Sequence, residues 1–283
     1  MASVKSPIRT LVKPFLFRLL GKRGYKYAQF YGKKRDIQHR LVEEKEMELL
    51  PYFVKPGDCA IDVGANYAYY TDRLSGLAGN EGKVFAFEPI PFTYMVCAMI
   101  VKSNKLGNVS LFNLGVSDKN QTLKFSVPKL SYGPISAGQA HIATRTNAEE
   151  DKQKYYNFEQ EEEVTCDVVA LDTFNLELSG KNVSFIKIDI EGAEYFALKG
   201  MEQLIKKHLP VILIEVQPYF LNGFNIEASD LESYISQTLG YNIYYYDEEL
   251  KKLKPLKTEL FDANFILIPV SKIDSYQQII YDK

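Results

Sequence analysis

Ala60-Ile61-Asp62-Val63-Gly64-Ala65-Asn66 is an apolar run that closes on an acid and a glycine turn, and Phe85-Ala86-Phe87-Glu88-Pro89 is a second apolar run that closes on Glu. Short apolar runs bounded by turn residues read as buried strands. In a doubly wound α/β sheet, ligands bind beyond the carboxyl ends of such strands, beside the switch in strand order. Gly64 permits a tight turn and a close backbone approach to a ligand. Glu88, at the tip of the second strand, can accept hydrogen bonds from both hydroxyls of a ribose. The two stretches therefore predict a site for an adenosine-bearing cofactor, with Asp62, Gly64, Ala65 and Asn66 on one turn and Glu88 on the other. A nicotinamide dinucleotide fits less well, because G-x-G-x-x-G needs three glycines and this loop holds only Gly64.

Phe185-Ile186-Lys187-Ile188-Asp189-Ile190-Glu191-Gly192-Ala193-Glu194 is a third apolar strand, delivering Asp189 and Glu191 to its tip before a helix expected from Gly192 to His208. With Asp62–Asn66 and Glu88-Pro89, this string resembles the FkbM family of S-adenosylmethionine-dependent methyltransferases. The resemblance runs from about Leu50 to Val270, and IKIDIEGAE is its most specific part. Ala170-Leu171-Asp172-Thr173-Phe174 and Ile212-Leu213-Ile214-Glu215-Val216 fit the family pattern too. It implies a Rossmann-like class I methyltransferase fold of the α/β class, with a seven-stranded mixed sheet flanked by helices, and S-adenosyl-L-methionine as cofactor. The acceptors it implies are hydroxyls of sugars, glycans or polyketide-like metabolites. One residue departs from the pattern: the family usually has Gly where Ala68 stands, and Ala is expected there in the first turn of a helix.

Within that framework Asn66 and the backbone after Gly64 face the amino-acid end of the cofactor, Glu88 the ribose, and Asp118 the adenine amino group. Methyl transfer to an alcohol requires a proton to leave the acceptor, and a general base contributes about 10²–10⁴-fold. Asp189 is the first candidate, because its strand ends beside the transferable methyl. Glu191 and Glu215 are alternatives, although Glu191 is equally placed to cap the helix after Gly192. His141, in a long insertion, is a weaker one. Asp189 has a second reading, as anchor for the amino group of the cofactor's methionine. A catalytically silent cofactor-binding module remains the alternative to an enzyme. Tyr132, Tyr155, Tyr156 and Phe158, also in the insertion, suit stacking on an acceptor ring.

The composition sets the outer limits. A chain of 283 residues with 46% hydrophobic residues suits one large domain with embellishments. Cys59, Cys97 and Cys166 are odd in number and scattered, as expected of buried thiols in a reducing compartment such as the cytoplasm. Neither the cysteines nor His39, His141 and His208 have metal-ligand spacing, and no metal is expected. No apolar run is long enough to span a bilayer.

Net charge near −2 hides an asymmetry: residues 1–40 hold eleven Lys and Arg against one acid, Asp36. Ile8, Leu11, Val12, Phe15, Leu16, Leu19 and Leu20 recur there at helical spacing, with Ser6 as cap and Pro7 at the first position. Pro14 predicts a kink or two short helices. The stripe can dock on an anionic membrane surface, pack on the catalytic domain or a sister subunit, or serve as a transit peptide or nucleic-acid arm. Lys richness and the lack of an RNA-binding signature weigh against the last, so no nucleic-acid partner is expected. The chain divides on this reading into a basic helical arm, 1–45, and a methyltransferase domain, 46–283, carrying an insertion over roughly 122–169. An acidic helix is expected over Val42–Tyr52, and Thr122–Val127 and Glu163–Val169 read as paired strands.

Overall fold

A computed structural model describes residues 7–129, 140–147 and 160–281 of the chain. Helix α1 (Pro7–Gln38) leads through a short 3-10 turn, Lys45–Leu49, into the single helical turn α2 (Leu50–Phe53). Strand β1 (Cys59–Val63), helix α3 (Tyr69–Ala78), β2 (Lys83–Phe87), α4 (Pro91–Ser103) and β3 (Val109–Phe112) then alternate as a parallel unit. The short β4 (Gly115–Val116) precedes the long strands β5 (Gln121–Lys129) and β7 (Gln160–Val169), with β6 (His141–Ile142) between them in sequence. The main fold resumes with β8 (Val183–Ile188), β9 (Val211–Val216), β10 (Tyr241–Asp247), β11 (Lys252–Pro255) and β12 (Ala263–Pro269).

Among the described residues, eight strands make the main sheet, in the order β11-β10-β12-β9-β8-β1-β2-β3, where seven were expected. The additional strand is β11. Its sequence, Lys-Leu-Lys-Pro, has no apolar run; it pairs with β10 at the sheet edge, and its outer side makes one bridge, Leu253 to Ile280. Lysine and proline suit an edge, where an unpaired N–H row invites unwanted partners. β1 lies between β2 and β8, parallel to both, so strand order reverses there. Every residue of β1 is buried, as a parallel strand covered on both faces requires. Ile61, Phe85, Ile186 and Ile212 pack on one face, while Ala60, Val84, Phe185 and Leu213 pack on the other.

The insertion forms a second sheet, ordered β4-β7-β5-β6, in which β5 and β7 pair antiparallel from Gln121↔Val168 to Lys129↔Gln160. Three local expectations change. α1 breaks at Gly21 (φ 62°, ψ −178°) rather than at Pro14. The acidic stretch after it forms only a 3-10 turn and α2, pinned by tertiary contacts such as the Tyr70 hydroxyl donating to Glu44 at 2.7 Å. The helix expected from Gly192 to His208 is two, Glu194–Gly200 and Glu202–His208, because Met201 leaves the helical region (φ −129°, ψ 21°). The break falls where the chain after β4 presses in: a Cβ on Gly200 would stand 1.8 Å from the Ser117 carbonyl oxygen.

Candidate active site

The carboxyl ends of β1, β2 and β8 meet at one cleft. Gly64 turns out of β1 with φ +83°, and a Cβ there would stand 2.0 Å from the Asp189 carbonyl oxygen. The close approach to the chain after the neighbouring strand β8 is by itself enough to demand glycine here. The Gly64 and Ala65 amides both donate to the Phe87 carbonyl, at 3.0 and 2.9 Å. Asn66 follows in the left-handed region (φ 47°), which Asn tolerates better than most residues. Ala68 is also left-handed (φ 65°) and precedes α3 rather than lying in its first turn. The strain at Ala68 is offset by burial of its methyl group, which is fully enclosed.

Glu88 ties the two turns together. One carboxylate oxygen accepts the Asn66 amide at 3.0 Å and the other accepts the Ile90 amide at 2.9 Å. Burial pushes its pKa up to about 7 in spite of those two donors. Gly64, Asn66, Glu88, Asp189, Ile190 and Glu191 line the cleft, joined by Phe125 and Ala140 from the insertion. Asn66 Oδ1 is buried without a hydrogen-bond partner among the described residues. A buried acceptor left open in this way fits a ligand that brings an N–H or O–H group.

Beneath the cleft lies a buried ion cluster that the sequence reading missed. Lys187, on the largely apolar β8, has its Nζ 3.0 Å from Asp189, 2.9 Å from the Gly64 carbonyl and 3.9 Å from Asp62. Burial by itself would lower its pKa, yet Asp189 and Asp62 hold the ammonium above its usual range. Burial likewise lifts Asp189, but Lys187 and a proton donated by Glu215 outweigh it, so Asp189 stays below the ordinary carboxylate range. Glu215 is pushed up to about 10 by burial and by the Asp189 charge, and Gln217 donates to it at 3.1 Å. At neutral pH the pair thus carries one charge and one proton. Asp62, fully buried, accepts the Thr71 hydroxyl at 2.6 Å; its burial outweighs the more distant Lys187 and raises its pKa.

The turn after β8 is held by Glu194, another residue not anticipated. One of its oxygens accepts the Ile190 and Gly192 amides, both at 3.1 Å, while Glu191 stands in the left-handed region at φ 57° and the N-cap position of the following helix falls to Ala193. Lys187 and Glu194 had one signal in the sequence: a charged residue at a position where the strand or helix pattern calls for an apolar one.

Of the other predicted residues, Ala65 packs under the turn in an apolar cluster with Phe30, Tyr67 and Ala68. Asp118 lies beside Gly200, accepts the Ser117 hydroxyl at 3.2 Å, and is not among the residues lining the cleft. His141 is buried on the second sheet, opposite Ser126, while its neighbour Ala140 reaches the cleft. Tyr132, Tyr155, Tyr156 and Phe158 lie outside the described residues. No group of His, Cys, Asp and Glu among the described residues has the arrangement of a metal site.

Comparison with known proteins matches residues 62–243 to the Methyltransferase FkbM domain. Methyltransferase 1 from Beauveria bassiana is 24% identical over 174 residues, 59% of this chain and 66% of that protein. The chain therefore spans just under two thirds of the length of this curated relative. Among solved structures, Methyltransferase FkbM from Methylobacillus flagellatus is similar with a TM-score of 0.46 and 15% identity, covering 84% of this chain and 58% of that one. An S-adenosylmethionine-dependent O-methyltransferase from Thermotoga maritima has a TM-score of 0.42 and 13% identity, covering 83% and 69%.

Proposed function

This chain belongs to the FkbM family of S-adenosylmethionine-dependent methyltransferases, and from that premise we propose that it methylates a hydroxyl oxygen of a sugar, glycan or glycolipid. The observation that carries the reading is the cleft itself, where an open Asn66 acceptor and the Glu88 carboxylate meet the Asp189–Glu191 turn. When bound, the cofactor supplies an electrophilic methyl group on a sulfonium.

The residues of the chain divide the remaining work. Glu88 accepts the ribose hydroxyls, and Asn66 Oδ1 accepts a donor from the amino-acid end of the cofactor. Asp62, Gly64 and Ala65 set the turn that presents them, and Asp118 is the candidate partner of the adenine amino group. Asp189, ionised and backed by Lys187, is better suited to hold the ammonium of the methionine moiety than to take a proton at neutral pH, since an effective base has a pKa near the working pH. Deprotonation of the acceptor then falls to Glu191, which lines the cleft, or to His141. A glycan or glycolipid acceptor is favoured by the acceptor classes of the family and by the basic arm over residues 1–40, which suits a lipid-linked substrate or an anionic membrane surface. On this reading residues 46–283 form the catalytic unit, which holds the residues lining the cleft, and residues 1–45 form the arm.

The test is incubation of the protein with methyl-labelled cofactor and a pool of glycans and glycolipids. Label transferred to a glycan, with a mass gain of one methyl, is the expected result. Label in polyketide-like acceptors only would replace the acceptor class, and no transfer together with intact cofactor binding would leave a silent binding module.

A further inference from the structure

We infer that the rear half of α1 is a positioning element for the cofactor turn, with Phe30 and Lys33 clamping Asn66–Tyr69 in the shape that binds the methyl donor. The inference rests on the reading of that turn as the donor site. α1 runs beside α4, and its Tyr25 stacks on Phe92 with ring centroids 6.5 Å apart. Tyr25 and Phe30 are buried, 3% and 9% exposed, whereas Tyr27 and Tyr31 on the same helix are 53% and 68% exposed. Phe30 joins Ala65, Tyr67 and Ala68 in one apolar cluster. Lys33 Nζ stands 4.6 Å from the centroid of the Tyr67 ring and 5.6 Å from that of Tyr69, within cation–π range of both.

The arm thus grips three consecutive residues of a turn whose backbone is unfavourable. Asn66 and Ala68 are both left-handed, and such conformations persist only where the surroundings over-determine them. From inside, Glu88 accepts the Asn66 amide; from outside, Phe30 and Lys33 close on Tyr67 and Ala68. Relaxation of the turn would carry the Asn66 amide away from Glu88 and turn Asn66 Oδ1 out of the cleft. Helix α1 therefore acts on donor affinity through the turn and not by contact with the donor.

The experiment measures S-adenosylhomocysteine affinity by calorimetry, and ligand-free melting temperature, in the full chain. Lys33→Gln keeps most of the stem and removes the cation; it should weaken binding about 3–10-fold, the range of one lost cation–π contact. Its melting temperature should fall by no more than about 3 °C, the scale of one such contact in a domain of this size. Lys33→Arg should restore affinity, because a guanidinium also stacks on aromatic faces. Phe30→Ala should weaken binding further, and Tyr27→Ala, on the exposed side, should match wild type. If Lys33→Gln binds within about twofold of wild type while Glu88→Ala is impaired, the inference fails and the donor-site reading stands. Equal losses of affinity and melting temperature that Lys33→Arg does not rescue would make the arm merely structural. Absence of binding by the wild-type chain would overturn the donor-site reading and, with it, this inference.

Discussion

Glu88 is subject to two opposed influences. Burial favours its neutral form, and the Asn66 and Ile90 amides favour its charged form; burial wins, and the pKa reaches about 7. The charged form is the stronger acceptor for ribose hydroxyls. Affinity for S-adenosylhomocysteine should therefore climb between pH 6 and 8 and be flat over that span in Glu88→Gln, as read by calorimetry. Glu88→Ala should weaken binding by about 10-fold or more, the equivalent of one charge-assisted hydrogen bond. In the free protein the sign of the stability effect follows from the raised value. Its contribution is whole below the unfolded pKa near 4.5 and is lost as pH rises through 7, a change of about 3 kcal/mol that Glu88→Gln should remove. Asp189 shows the reverse direction, and Asp189→Asn separates its two roles. An anchor mutant loses cofactor affinity, with turnover partly rescued at high cofactor. A base mutant keeps affinity and loses turnover by about 10²-fold or more. The anchor result is expected, since Lys187 already stabilises the carboxylate.

At the scale of elements, the arm divides at Gly21. Behind the break, Asp36 is buried, Tyr25 stacks on Phe92 and Phe30 packs with Ala65, Tyr67 and Ala68. Ahead of it, Leu19 is 68% exposed, and the rest of the stripe, Ile8, Leu11, Val12, Phe15, Leu16 and Leu20, lies outside the described side chains. No helix among the described residues is long and apolar enough to cross a membrane. We propose surface attachment for the front half, where each Lys or Arg near an anionic bilayer contributes about 1 kcal/mol. Co-sedimentation with phosphatidylserine vesicles should be strong at low salt, fall as salt rises, and fall further when residues 1–20 are deleted, which leaves the rear half in place. Indifference of the full chain to such vesicles at low salt would return the front half to a structural role.

For the molecule as a whole, the two-sided core predicts how its thiols behave. Cys59 and Cys97 are fully enclosed and Cys166 is 6% exposed, and burial raises all three pKa values. An aromatic disulfide reagent should titrate almost no thiol in the native state within minutes and three after denaturation; fast native labelling would show a looser core. The sequence by itself determined the strands whose apolar runs end in Asp62, Glu88 and Asp189, their parallel unit, and the family, because buried strands and their glycine or acidic tips leave a local pattern. It also gave Thr122–Val127 and Glu163–Val169 as paired strands, which are β5 and β7. What only the tertiary structure decided has no local trace. The edge strand β11 exists through pairing with β10, the break at Met201 through pressure from Ser117, and the left-handed Ala68 through enclosure from Phe30 and Glu88's turn. The charge state of the cleft belongs to the same class. Lys187 is one residue in an apolar run until folding places Asp62, Asp189 and the Gly64 carbonyl around its ammonium, and in a medium of low dielectric that arrangement sets the charge on every group it touches.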